Sequence, residues 1–107
     1  MRRAVLLAQD AEDDLVDIWR YVAERHSVEQ ADQVLTRIER TCRELRRHPQ
    51  RGHGPPELER VSVLDFREVH SKPYRIVYEV VGTTVHVHAI LDRRRDLQEL
   101  LARRLLR

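Results

Sequence analysis

The side chains able to do chemistry gather in the last third of this 107-residue chain. Arg75 stands inside Tyr74-Arg75-Ile76-Val77-Tyr78, and Arg93, Arg94 and Arg95 follow Asp92 directly. Glu68, His70, His86 and His88 lie around them. A guanidinium makes forked hydrogen bonds to phosphate or carboxylate. The arginines at 93, 94, 95, 103, 104 and 107 therefore suit an acidic protein or a phosphate backbone equally well. Three arginines at a helix start also oppose its dipole, which Asp92 as N-cap only partly offsets, so a partner surface is one reading of them. His86 and His88 alternate on one strand face and could both reach zinc. No third ligand is spaced to join them, so no metal or cofactor is expected. Arg75 also has a plainer reading, an ion pair with Glu79 or Glu68 across the sheet. Nothing matches a phosphate-cradling loop or a serine-nucleophile site.

The elements that must position these residues are legible. Phe66–Val69, Tyr74–Val81 and Thr84–Leu91 are rich in β-branched and aromatic residues, and Gly82-Thr83 fits a two-residue hairpin loop. Upstream, Arg2–Ala8 reads as a first strand. Asp10 reads as the N-cap of a helix over Ala11–Arg25, with Ala11, Leu15, Ile18, Trp19 and Val22 on its apolar stripe. Glu12, Asp14, Asp17, Arg20 and Glu24 take the polar side. Ser27-Val28-Glu29-Gln30 has the form of a capping box. The helix it opens carries Ala31, Val34, Leu35, Ile38, Cys42 and Leu45 on one stripe and should end near His48, before Pro49. Cys42 reads as core, and Trp19 as core or as an anchor of the helical hairpin on the sheet. Pro49, Gly52, Gly54, Pro55 and Pro56 mark a loop reaching about Arg60. Leu97, Leu100, Leu101 and Leu105 make the last segment an amphipathic helix that packs on the sheet edge or needs a partner.

The expected fold class is α+β, in the order β-α-α-β-β-β, with a helical hairpin packed on one face of an antiparallel sheet plus a C-terminal helix. The other face of the sheet is expected to be open to a macromolecule. The chain is one domain, residues 1–107. One cysteine excludes an intramolecular disulfide and fits a reducing compartment. The apolar run Ala4–Ala8 is too short for a signal peptide or a membrane span, so a cytoplasmic protein with no membrane partner is expected. Charged residues make up 36% of the chain, yet the net charge is only +2, which excludes a global electrostatic footprint for nucleic acid.

This order, together with five stretches in sequence, resembles the RelE/ParE superfamily of bacterial toxins. The stretches are Ala11-Glu12-Asp13-Asp14-Leu15 with Ile18 and Tyr21; Leu45 with Pro49 and Gly52; Phe66-Arg67-Glu68; Tyr74 to Tyr78; and Ile90 to Asp96. The resemblance covers nearly the whole chain. It implies the toxin half of a type II toxin–antitoxin module, a growth-inhibiting plasmid-stabilisation function, and a cognate antitoxin as partner. RelE-like members are ribosome-dependent mRNA endonucleases, whereas ParE-like members inhibit DNA gyrase with no known need for catalytic residues.

RNA cleavage beside a 2′-hydroxyl needs a base, an acid and cations for the phosphorane charge. By resemblance Arg75 and Arg94 match the cations. The position of the nuclease tyrosine falls on Leu100, and Glu68 stands in what is a lysine-rich strand there, where an acid would repel phosphate. These departures favour the ParE-like branch, a binder rather than an enzyme. Arg67, Arg75, Tyr78, Arg93, Arg94 and Arg95 are then the target- or antitoxin-binding residues. The alternative is an mRNA interferase working with ribosome-bound mRNA through Arg75, Arg94 and His88, with His70, His86 or Glu68 as substitutes; toxicity that persists in Arg75→Ala at equal protein level would remove it. A third reading is a non-toxic relative kept as a binding module.

Overall fold

The computed structural model describes residues 4–105. Arg2 and Arg3, expected to open the first strand, and Arg107 lie outside them. The elements in order are β1 (Ala4–Leu7), α1 (Gln9–Arg25), α2 (Val28–Glu44), α3 (Pro56–Glu59), β2 (Phe66–Ser71), β3 (Tyr74–Val81), β4 (Thr84–Asp92) and α4 (Leu97–Leu105). The expected α+β order is present, with one short helix, α3, inside the proline-rich loop.

The helical hairpin is fixed by local chemistry. Ser27 Oγ accepts a hydrogen bond from the Gln30 amide at 3.0 Å, which starts α2 where the capping box places it. The start of α1 differs from expectation. Ala8 takes the N-cap position with no side-chain bond, and Asp10 lies inside the first turn, where its charge still favours the dipole. Trp19 Nε1 donates to Asp32 Oδ1 at 2.8 Å, which fastens α1 to α2 across their outer edge.

The sheet runs β1-β4-β3-β2. It is antiparallel across β2, β3 and β4, with Ser71 opposite Tyr74 and Val81 opposite Thr84. Gly82 closes the second turn at φ +59°, a backbone conformation glycine adopts without steric cost. β1 joins parallel to β4, with Leu6 opposite His86. The helical hairpin carries the chain over the sheet to β2 at the far edge, and β2 and β3 complete the connection from β1 to β4. The sheet is thus mixed.

One irregularity in β4 sets which residues face where. Val77 pairs with Ala89 and Tyr78 with Val87, so His88 is an extra residue, a bulge. Val85, Val87 and Ile90 consequently face the hairpin, where they join Ile76, Tyr78, Ile38, Cys42 and Leu45 in the main core. Ala89 and Leu91 face the other way. There they pack with Val77, Leu58, Leu97 and Leu100 in a second core. This corrects the expectation of an open second face: α3 and α4 cover part of it. The leucines of α4 lie on the sheet face rather than its edge or a partner. The side chain of Leu105 is outside the described residues. The cap of α4 also differs. Asp96 Oδ1 accepts from the Gln98 and Glu99 amides at 2.8 and 3.3 Å. Asp92 instead accepts from the Arg94 amide. The three arginines therefore sit in a turn ahead of the helix, not on its positive end.

Candidate functional site

Arg75 is buried on the second face of the sheet, between two carboxylates. Its Nε and Nη2 donate to Glu68 Oε2 at 2.8 and 2.6 Å. Its Nη1 and Nη2 donate to Glu57 at 2.7 Å each, and Nη1 also reaches the Arg95 carbonyl at 3.4 Å. A guanidinium has five N–H donors, and these contacts use all of them. Glu57 hydrogen bonds raise the Arg75 pKa further, and the Arg75 side chain holds the Glu57 carboxyl down at about 2. Glu57 Oε2 also accepts from the Leu97 amide at 3.3 Å. One arginine thus ties β2 and β3 to α3 and, through Glu57, to the start of α4. Of the two sequence readings of Arg75, the geometry is that of the ion pair with Glu68.

Two other expected contact residues are also turned inward. Tyr78 is fully buried on the hairpin side; its hydroxyl donates to the Pro49 carbonyl at 2.7 Å and accepts from the Gly52 amide at 3.0 Å. It therefore offers no partner surface, a correction caused by the strand pleat. Arg67 Nη2 donates to the Gln50 and Gly52 carbonyls at 3.0 and 2.8 Å, so it braces the same loop. Its Nε is buried and finds no partner among the described residues. Glu68 is 2% exposed and committed to Arg75. Its environment is a cation, not an approaching phosphate. Leu100 is core.

Gly52 sits where this loop crosses β2. A Cβ there would lie 2.4 Å from the Glu68 carbonyl oxygen and 2.8 Å from the Tyr78 hydroxyl. His53 and Glu68 exchange backbone hydrogen bonds beside it, so the backbone cannot retreat without losing them. Gly52→Ala is expected to cost about 2 kcal/mol, read as a lowered urea midpoint; an unchanged midpoint would contradict this account of the crossing.

Asp14 is the functional-looking residue that sequence reasoning misplaced. It was expected on the polar side of α1, and it is 7% exposed. Its Oδ2 accepts from the Ile90 amide at 2.9 Å, just past the His88 bulge. Its Oδ1 accepts from Arg104 Nη2 at 2.6 Å, while Arg104 Nη1 donates to the His88 carbonyl at 3.1 Å. Burial pushes the Asp14 carboxyl up, and the Ile90 amide and Arg104 pull against it. The signal was present in the spacing. Asp14 is three residues after Ala11 and four before Ile18, on the apolar stripe itself.

The exposed candidates fall in two places. His88 Nε2 lies 3.1 Å from Glu79 Oε1, its ring edge-on to Phe66 and stacked near His86. These four residues occupy the part of the second face next to Leu6, which is half exposed. Arg93, Arg94 and Arg95 are exposed at the β4–α4 turn. Arg94 Nε pairs with Asp92 at 3.0 Å, and its hydrogen bonds draw the Asp92 carboxyl down. Beside this turn lies a groove formed by Tyr21, Ile18, Tyr74, Asp92, Arg94 and Arg95. Tyr21 is half exposed, with Arg25 stacked 4.7 Å over its ring. A second, more apolar crevice runs along the helical hairpin between Leu15, Val16, Trp19 and Leu35. Cys42 is core, and burial pushes its thiol up to about 11, so it is a poor nucleophile. No helix among the described residues is long and apolar enough to cross a membrane.

A capped helical hairpin on one face of a sheet with an antiparallel three-strand ending, followed by a basic turn and helix, is the frame of the RelE/ParE superfamily of toxins. The family model described as ParE toxin of type II toxin-antitoxin system, parDE, matches residues 5–97. The chain belongs to this family. Among solved structures, it is similar to a chain of the chromosomal ParDE toxin–antitoxin system from P. aeruginosa, with 18% identity, a TM-score of 0.70, and coverage of 85% of this chain and 96% of that one. It is also similar to a chain of the RelBE2 toxin–antitoxin complex from Mycobacterium tuberculosis, with 19% identity, a TM-score of 0.64, and coverage of 87% and 100%. A search of curated proteins returns no significant match.

Proposed function

We propose that this ParE-family chain acts in the cytoplasm by binding, with DNA gyrase as its target, and that a cognate antitoxin neutralises it. The observation that carries this reading is the commitment of Arg75. Every donor of the arginine that would clamp a scissile phosphate is already held by Glu57, Glu68 and the Arg95 carbonyl. Leucine at position 100 supplies no proton acceptor. What is left for a partner is a rim of unburied cations, Arg93, Arg94 and Arg95, beside the Tyr21 groove. The apolar crevice along α1 and α2 suits an antitoxin segment that folds as it binds, with acidic residues reaching the basic turn. The solved relatives named above come from toxin–antitoxin systems, which supports a partner of this kind.

The test is purified protein in a gyrase supercoiling assay. Inhibition, or stabilised cleavage complexes, is expected, and both should weaken in Arg94→Ala. Normal supercoiling at high toxin excess with no cleavage complexes removes gyrase as the target. The pairing of His88 with Glu79 on the accessible part of the sheet favours a second reading, an mRNA interferase with a histidine base. It predicts ribosome-dependent cuts in a primer-extension map that vanish in His88→Ala.

A further inference from the structure

His53, Glu68 and His70 each present one ligand atom, and the three atoms lie within 4.8 Å of one another. We infer that they form a binding site for a divalent transition metal of the zinc class. His70 Nε2 is 3.0 Å and His53 Nε2 is 3.8 Å from Glu68 Oε1. Ligands of a tetrahedral zinc ion at ~2.1 Å stand about 3.4 Å apart, so rotation of the two imidazoles toward that spacing completes the set.

The backbone builds the trio. Glu68 and His70 alternate on β2 and so share its second face. His53 is brought beside them by a pair of backbone hydrogen bonds, His53 N–H to the Glu68 carbonyl at 3.1 Å and Glu68 N–H to the His53 carbonyl at 2.6 Å. The surroundings orient two of the three ligands. His53 Nδ1 lies 3.1 Å from the Gly54 carbonyl, a contact that requires the proton on Nδ1 and leaves the Nε2 lone pair toward Glu68. Arg75 holds Glu68 Oε2, which fixes the carboxylate and leaves Oε1 facing the two imidazoles.

Charge points the same way. Glu57 and Glu68 share the single positive charge of Arg75, so the buried group carries an excess of one negative charge. A divalent cation on Oε1 compensates it. Two imidazoles and one carboxylate are donors that zinc, cobalt and nickel accept and that calcium and magnesium do not favour. The imidazoles are 46% and 62% exposed at the side chain, so a fourth position opens outward to water or a partner's ligand. Once bound, the ion would staple the loop around Gly52 to β2.

The experiment uses the untagged chain, stripped with chelator and titrated with Zn2+ by calorimetry and with Co2+ by visible absorption. One equivalent per chain is expected, with the intense ligand-field bands of a four-coordinate ion and a metal-dependent rise in Tm. His53→Ala and His70→Ala should each weaken the affinity at least tenfold, while the double change His86→Ala/His88→Ala leaves it unaltered. The rise in Tm is taken within each variant, between metal-free and metal-loaded samples, so a folding defect does not register as lost binding. No stoichiometric binding overturns the site, as does binding that survives loss of both His53 and His70.

Discussion

Replacing Arg75 with alanine is expected to lower stability by about 3–5 kcal/mol, a large share of the ~5–15 kcal/mol that such domains possess. The cost comes from what remains. Glu68 is 3% and Glu57 16% exposed at the side chain, and without the guanidinium both are left as buried, uncompensated carboxylates. The triple change Arg75→Met/Glu57→Gln/Glu68→Gln removes the charges together and should recover more than half of that loss, because breaking a buried pair costs more than replacing it. Urea denaturation of both variants checks the order. A single alanine variant as stable as the wild type would show that the network is not structural.

The same network sets an acid limb. Glu57 has a folded pKa of about 2, below its usual 4.5. A depressed carboxyl contributes stability that is complete above about pH 4.5 and is lost as pH falls toward 2, here on the order of 3 kcal/mol. Asp14 works in the opposite sense. Its folded pKa is raised from 3.8, so the fold favours its protonated form and stability declines as pH rises through its window. Glu57→Gln should therefore flatten the acid limb of the urea midpoint below pH 4.5.

Loss of toxicity in Arg75→Ala reports folding as readily as chemistry, so it cannot separate a gyrase poison from an interferase. Arg94, 81% exposed at the side chain, can be changed without touching the core.

Asp14→Ala is the second large effect, expected at about 2–4 kcal/mol. It strands the Ile90 amide beside the β4 bulge and leaves Arg104, 16% exposed at the side chain, short of its closest carboxylate. Asp14→Asn keeps an oxygen for the amide and loses the charge pair, so about half the effect should persist. Asp17→Ala, one turn on and exposed, should fall within about 0.5 kcal/mol of the wild type. Equal effects of Asp14→Ala and Asp17→Ala on the denaturation midpoint would remove the clamp from this account.

Most of the frame was legible because its signals are local. The Ser27 cap, the apolar stripe of α2, the Gly82-Thr83 turn and the β-branched strands each act over a few residues. The site was less legible. Arg75 and Glu68 could be paired on paper only by assuming a register that depends on the turn between Ser71 and Tyr74. Glu57 could not be assigned at all, because α3 comes from a loop with no periodicity. Tyr78 was placed at a surface because a strand's pleat fixes alternation but not which side is inner. His53 escaped notice for the same reason as Glu57.

Sequence alone determined the class of fold, the kinship, the covered helical hairpin and the presence of a basic segment near the end. Those follow from periodicity and capping, which a chain carries residue by residue. Only the tertiary structure decided that β1 lies parallel to β4, that α3 and α4 cover part of the second face, and that Arg75 is spent internally while Arg94 is not. Such outcomes depend on contacts between residues far apart in the chain, such as Asp14 with Arg104, whose pairing no local pattern specifies.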